Sequence, residues 1–138
     1  MKTHVHSVLL LLGLGVASCK SDKDTPKPTS LVGYWLLTRL ECYCPANTPT
    51  PDEAIAFDAD GKVTTYKDGQ VQQTGTYTLT KGSTTCTTDT TLISFSWPSY
   101  TPTASYSLHD GVLIIDQGLC FDAPRKTYQA ASAASNKK

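Results

Sequence analysis

The sequence predicts an all-β fold, an eight-stranded antiparallel up-and-down barrel. Three observations predict it. Thr occurs 21 times among the 138 residues and joins Tyr, Val and Ile in a β-favouring composition. Gly or Pro interrupts the chain about every ten residues, so nothing after Cys19 sustains a helical apolar period. Where the chain runs uninterrupted, apolar positions recur with period two, as in Val71, Gln73, Gly75, Tyr77 and Leu79.

Eight short strands follow in order. The first is expected at about 32–43, carrying Trp35, Leu37, Arg39, Glu41 and Tyr43 on one face. A bulge after Leu37 would reverse that assignment. The second, about 54–58, places Ile55 and Phe57 together, and Asp58-Ala59-Asp60-Gly61 reads as a hairpin turn. The third spans about 62–67, and Asp68-Gly69 turns the chain again. The fourth spans about 70–80, before a polar Thr-rich loop at 81–89. The fifth, about 91–97, aligns Ile93, Phe95 and Trp97 until Pro98 stops it. The sixth (about 104–108), the Asp110-Gly111 turn, the seventh (about 112–116) and the eighth (about 125–129) complete the set. Residues 130–138 are small and polar and are expected to be a flexible tail. Consecutive hairpins favour a closed barrel, which removes free edges. A two-sheet sandwich uses the same strands, and their number alone does not separate the two.

The N-terminus reads as a processing signal. Lys2, His4 and His6 precede an apolar run from Val8 that ends in Val16-Ala17-Ser18-Cys19. The run is about half the length that spans a bilayer core, and suits the centre of a signal peptide. Its end resembles a bacterial lipobox, which implies cleavage after residue 18 and lipidation of Cys19. Two or three acyl chains make a stable membrane anchor. Residues 19–30, with Pro26 and Pro28 and many charges, form a tether without apolar residues to bury. Lys20 follows Cys19 where an inner-membrane retention signal has Asp. Asp22 and Asp24 resemble surface-export signals of Bacteroidota lipoproteins. The expected location is therefore the outer membrane, on its periplasmic face or at the cell surface.

Removing residues 1–18 leaves 120, with 11 basic and 12 acidic side chains and a balance of −1. Such a neutral chain lacks the basic surface that a nucleic-acid binder needs. Four cysteines remain: Cys42, Cys44, Cys86 and Cys120. An even set in an exported domain implies two disulfides. In a strand Cys42 and Cys44 point the same way, and joining them would need a strained ring. One is therefore expected to pair with Cys86 and the other with Cys120. The spacing does not match the doubled Cys-x2-4-Cys of a zinc site, and no metal or other cofactor is expected.

No catalytic constellation stands out. The mature chain has one histidine, His109, beside a turn, no nucleophile elbow, and no paired carboxylates. The expectation is a non-enzymatic, monomeric protein.

Leu31-Val32-Gly33-Tyr34-Trp35 resembles the Gly-x-Trp opening of lipocalin-like domains. Residues 55–61, Gly75-Thr76-Tyr77-Thr78-Leu79, Leu113-Ile114-Ile115 and Tyr128 resemble, in the same order, later strands of small lipocalin-like lipoproteins of Bacteroidota. The resemblance spans residues 31–129. It implies a structural signature of Gly33 and Trp35, with Arg125 stacked over the Trp35 ring. Trp35, Phe57, Tyr77, Phe95, Trp97 and Tyr106 occupy inward-compatible positions. Two functions follow. In one, Leu37, Phe57, Tyr77, Phe95, Trp97 and Tyr106 line a cavity for a small apolar or amphipathic ligand. In the other, the barrel is filled, and loops at 45–52 and 100–103 meet an envelope protein partner.

The lipidation reading has a direct check. Cys19→Ala should abolish incorporation of labelled palmitate in a lipoprotein-processing host. Undiminished labelling would contradict it.

Overall fold

The computed structural model describes residues 30–132. The expected signal segment, Cys19, most of the expected tether and the last residues of the expected tail lie outside the described residues. Eight strands succeed one another round a closed antiparallel barrel: β1 (Gly33–Glu41), β2 (Glu53–Phe57), β3 (Lys62–Lys67), β4 (Gln70–Gly82), β5 (Thr90–Ser96), β6 (Thr103–His109), β7 (Val112–Asp116) and β8 (Arg125–Ala131). A single 3-10 turn, Leu119–Phe121, interrupts the β7–β8 connection. β8 pairs back onto β1, and this closure separates the barrel from a sandwich. The tail starts later than expected, because Ala130 and Ala131 pair with Trp35 and Tyr34.

The Asp-Gly pairs make the tightest hairpins. Asp68 and Gly69 have φ of 50° and 74°, and Asp110 and Gly111 have the same values. Two successive positive φ values twist the chain in the sense the flanking strands require. At Asp58–Gly61 the turn closes through Gly61 N–H donating to Asp58 O at 3.2 Å, and Asp58 N–H donating to Lys62 O at 2.9 Å.

Strand register sets which side chains enter the barrel. Trp35 lies opposite Ile55, Phe57 opposite Val63, Tyr77 opposite Phe95, Ile93 opposite Ala104, and Leu113 opposite Tyr128. All of these except Tyr77 are buried, and Tyr77 packs against them. Trp35 is 0% exposed, and its Nε1–H donates to Leu31 O at 2.8 Å. Leu31 is itself buried, so the segment entering β1 folds under the ring and seals that end. Phe57 meets Tyr77 edge-on at 5.0 Å between centroids, and Phe95 stacks on Trp97 at 5.3 Å. These are the preferred geometries for aromatic pairs.

Two bulges change the sequence-based assignment of faces. The β1–β8 register slips between Leu37 and Arg39. Leu37 stays inside opposite Tyr128, whereas Arg39 and Glu41 turn to the outer wall opposite Thr127 and Arg125. The interior face expected to carry Arg39, Glu41 and Tyr43 therefore ends at Leu37. A second slip, between Thr65 and Tyr66 against β4, turns Val71 outward from the Gln73–Gly75–Tyr77 face.

Gly75 is required by space. A Cβ there would collide with the Ser96 carbonyl and come within 2.7 Å of Trp97 Cε3. The indole lies in the room that this side chain would take. Gly75→Ala is expected to destabilise the fold by about 1–3 kcal/mol through overpacking. Urea unfolding measures it, and an unchanged midpoint would contradict this packing.

Candidate functional site

Three places on the molecule were candidates from the sequence: the barrel interior, the loops and the cysteines. Side chains fill the interior. Leu37, Phe57, Phe95 and Trp97 are buried in one cluster, with Tyr77 and Tyr106 packed against it. The six expected ligand-lining residues are thus brought together, but by contact with one another. A recess of about 80 Å³ remains where Ile55, Phe95, Trp97 and Tyr128 meet Tyr100 and Gln117. Small-molecule sites are several times larger, at roughly 300–1,000 Å³. Among the described residues, aromatic side chains occupy the space where the expected cavity for an apolar ligand would lie. Above the recess, Lys126 Nζ donates to Glu53 Oε2 at 2.6 Å, joining β8 to β2 at the mouth. Burial raises the Tyr128 hydroxyl far above its ordinary range, and the Glu53 charge adds to the effect.

Strand order assigns the loops to two ends. Residue 30, the β2–β3 turn and the β6–β7 turn belong to one end, from which the β4–β5 loop folds back along the wall toward the β7–β8 connection. The β1–β2, β3–β4, β5–β6 and β7–β8 connections belong to the other, called here the loop end. Three large side chains at the loop end face solvent: Tyr43 at 89%, Tyr100 at 52% and Phe121 at 66% exposure. They come from three separate connections. Tyr100 and part of the β1–β2 loop were expected as contacts; Phe121 was missed. The signal available for it was its place in a short connection between Gly118 and Pro124, outside any strand.

Both disulfides form, but not with the expected partners. Cys42 pairs with Cys44, and Cys86 with Cys120. β1 ends at Glu41, so the two neighbouring cysteines lie in a bend rather than a strand. Their Cα atoms are 5.2 Å apart. Alternate residues of a strand are about 6.6 Å apart, so the bend brings them well inside bridging range. Cys86–Cys120, with Cα atoms 5.8 Å apart, draws the β4–β5 loop onto the β7–β8 connection.

That loop overhangs the outer wall. Thr87 and Thr90 roof a groove of about 550 Å³ whose floor includes Arg39, Glu41, Ser105, Asp116, Arg125 and Thr127. Asp116 is 8% exposed although it points outward. Its Oδ2 accepts from Arg125 Nε at 2.9 Å and Nη2 at 2.7 Å, and its Oδ1 accepts from the Gly118 and Leu119 N–H groups, both at 2.8 Å. Burial alone would raise the Asp116 pKa. The two backbone donors and the guanidinium outweigh it and hold the carboxyl below its usual range. Arg39 likewise binds Glu41 at 3.0 Å. The charges of the groove thus satisfy one another.

Arg125 does not stack on Trp35. On the β1–β8 ladder it stands opposite Glu41, at the far end from Trp35, and its guanidinium is held by Asp116 on the outer wall. His109 is exposed and lies 3.0 Å from the Asp110 carboxylate. Among the described residues no group of three or more His, Cys, Asp or Glu side chains is arranged to hold a metal ion.

Asp116 makes acid stability testable. A carboxyl with a lowered folded pKa contributes stability above its unfolded pKa, and loses it as pH falls through the folded value. Wild-type stability should therefore fall below about pH 3.8. Asp116→Asn is expected to cost about 1–3 kcal/mol at neutral pH and to flatten that acid loss. Parallel stability-versus-pH curves for the two proteins would contradict this.

No protein-family model matches the chain, and no curated protein or solved structure is significantly similar to it.

Proposed function

We propose that this chain is a lipid-anchored, non-enzymatic envelope protein of the lipocalin-like type, whose filled barrel is a scaffold for protein recognition at the loop end. The observation that carries the reading is the exposure of Tyr43, Tyr100 and Phe121 on three connections of one barrel end. Exposed aromatic side chains are favoured at interaction sites, and Tyr is enriched among binding hot spots. The packed interior supports the same reading, since it leaves a small apolar ligand no room inside.

The anchor belongs to the other end of the barrel. A lipid on Cys19 would connect to residue 30 through a tether that spans at most about 40 Å when extended. Residue 30 joins the opposite end of the barrel from the three aromatics. The loop end would then be free to meet partners in the periplasm or outside the cell. The expected partner is another envelope protein, with the barrel itself monomeric.

Crosslinking of the lipidated chain in intact envelopes tests this. Tyr43→Ala, Tyr100→Ala and Phe121→Ala together should remove the crosslinked partner, with the circular dichroism spectrum unchanged. Val32→Ala and Leu79→Ala, which alter exposed apolar residues away from the loop end, should leave it in place. Equal losses in both variants would contradict a loop-end site.

A further inference from the structure

The two disulfides hold very different things. Cys86–Cys120 joins residues 34 apart and fastens the β4–β5 loop to the β7–β8 connection. Cys42–Cys44 joins residues two apart. Closure entropy grows with the logarithm of loop length, so a bridge around one residue constrains the unfolded chain far less. Nor does the sheet depend on it. β1 ends before Cys42, and its ladders run to β2 and β8.

The surroundings of the small bridge are open. Cys44 is exposed, Cys42 is half-buried, and Tyr43 between them stands out into solvent. Both cysteines border a recess of about 430 Å³, shared with Leu40, Pro45 and Leu119. That recess lies at the loop end, the end that presents Tyr100 and Phe121. Cys86 is likewise half-buried and Cys120 exposed, so the two bridges differ in what they hold rather than in access; a Cβ added at Gly118 would lie 3.7 Å from the Cys86 sulfur.

We propose that Cys42–Cys44 is a thiol–disulfide exchange site that takes electrons from an exported polypeptide carrying two thiols. A thiolate of the partner attacks the exposed Cys44 sulfur. The Cys42–Cys44 bond breaks, a mixed disulfide forms on Cys44, and the Cys42 sulfur leaves as a thiolate that takes a proton from water. The partner's second thiolate then attacks its own sulfur in the mixed disulfide and releases Cys44. The partner dithiol is oxidised by two electrons to a disulfide, and Cys42 and Cys44 are reduced to thiols. The exchange is stoichiometric and needs no other reactant. The choice of a polypeptide as partner rests on the loop-end reading; the reducibility of the bridge does not.

The test equilibrates the oxidised mature chain with a series of reduced-to-oxidised dithiothreitol ratios. Acid quenching, alkylation and peptide mapping then score each bridge. Cys42–Cys44 should open at a lower ratio than Cys86–Cys120, with the circular dichroism spectrum unchanged. Opening of both bridges together, or of Cys86–Cys120 first, would overturn the proposal. A reduced synthetic peptide with two cysteines among apolar residues tests the exchange itself. The oxidised chain should convert it to its disulfide. A variant with Cys42→Ala and Cys44→Ala should not, and equal conversion by that variant would also overturn the proposal. Tyr100→Ala with Phe121→Ala should slow the peptide but leave the dithiothreitol series in place. Unchanged peptide rates would remove the polypeptide partner while leaving the labile bridge.

Discussion

Seven register pairs, from Tyr34 opposite Ala131 to Glu41 opposite Arg125, close β8 back onto β1 and leave the sheet without an edge. The remaining architecture depends on that seam. Closure forces one face of every strand inward, so Trp35, Ile55, Phe57, Ile93, Phe95, Leu113 and Tyr128 share one enclosed space. The bulge beside Leu37 lies within the seam. Below it β1 contributes to the core; above it Arg39 and Glu41 belong to the outer wall. A bulge leaves one residue unpaired and sharpens the local twist, so one seam can serve both purposes.

The aromatic rings then decide what the enclosed space is for. An eight-stranded barrel is just wide enough for its side chains to fill it or to leave room for one small ligand. Here Tyr77, Phe57, Phe95 and Trp97 contact one another in that order, and Gly75 makes way for the Trp97 ring. Space that a ligand would occupy holds indole and phenyl groups instead. On the function proposed above, recognition moves to the surface, and the loop end has the exposed aromatics to supply it. The outer groove has greater volume, but its guanidiniums and carboxylates are bound to each other.

Much of this fold is legible in the sequence, and the reasons are local. Asp68-Gly69 and Asp110-Gly111 dictate their hairpins because few other residue pairs accept two positive φ values. Ile93, Phe95 and Trp97 announce an inward face because alternation is a property of the single strand. What the sequence hides is set by strands far apart in the chain. The bulges depend on how β1 meets β8 and how β3 meets β4. The pairing of Cys42 with Cys44 depends on β1 stopping at Glu41, which no residue signals by itself. The partner of Arg125 depends on register: Asp116 faces it across the β7–β8 ladder, and Trp35 lies at the other end of β1. The filled interior is likewise a sum over volumes contributed by all eight strands.

The central claim, a filled barrel that recognises partners from outside, meets its most direct test in native mass spectrometry. Residues 20–138, which lack the lipidated Cys19, would be exported to an oxidising periplasm and purified gently. The account predicts a monomer of the bare polypeptide mass, about 4 Da below the reduced form for its two bridges. A small-molecule adduct that persists in the native spectrum and leaves on denaturation would contradict it, because a ligand would then occupy the space assigned here to Phe57, Tyr77, Phe95 and Trp97.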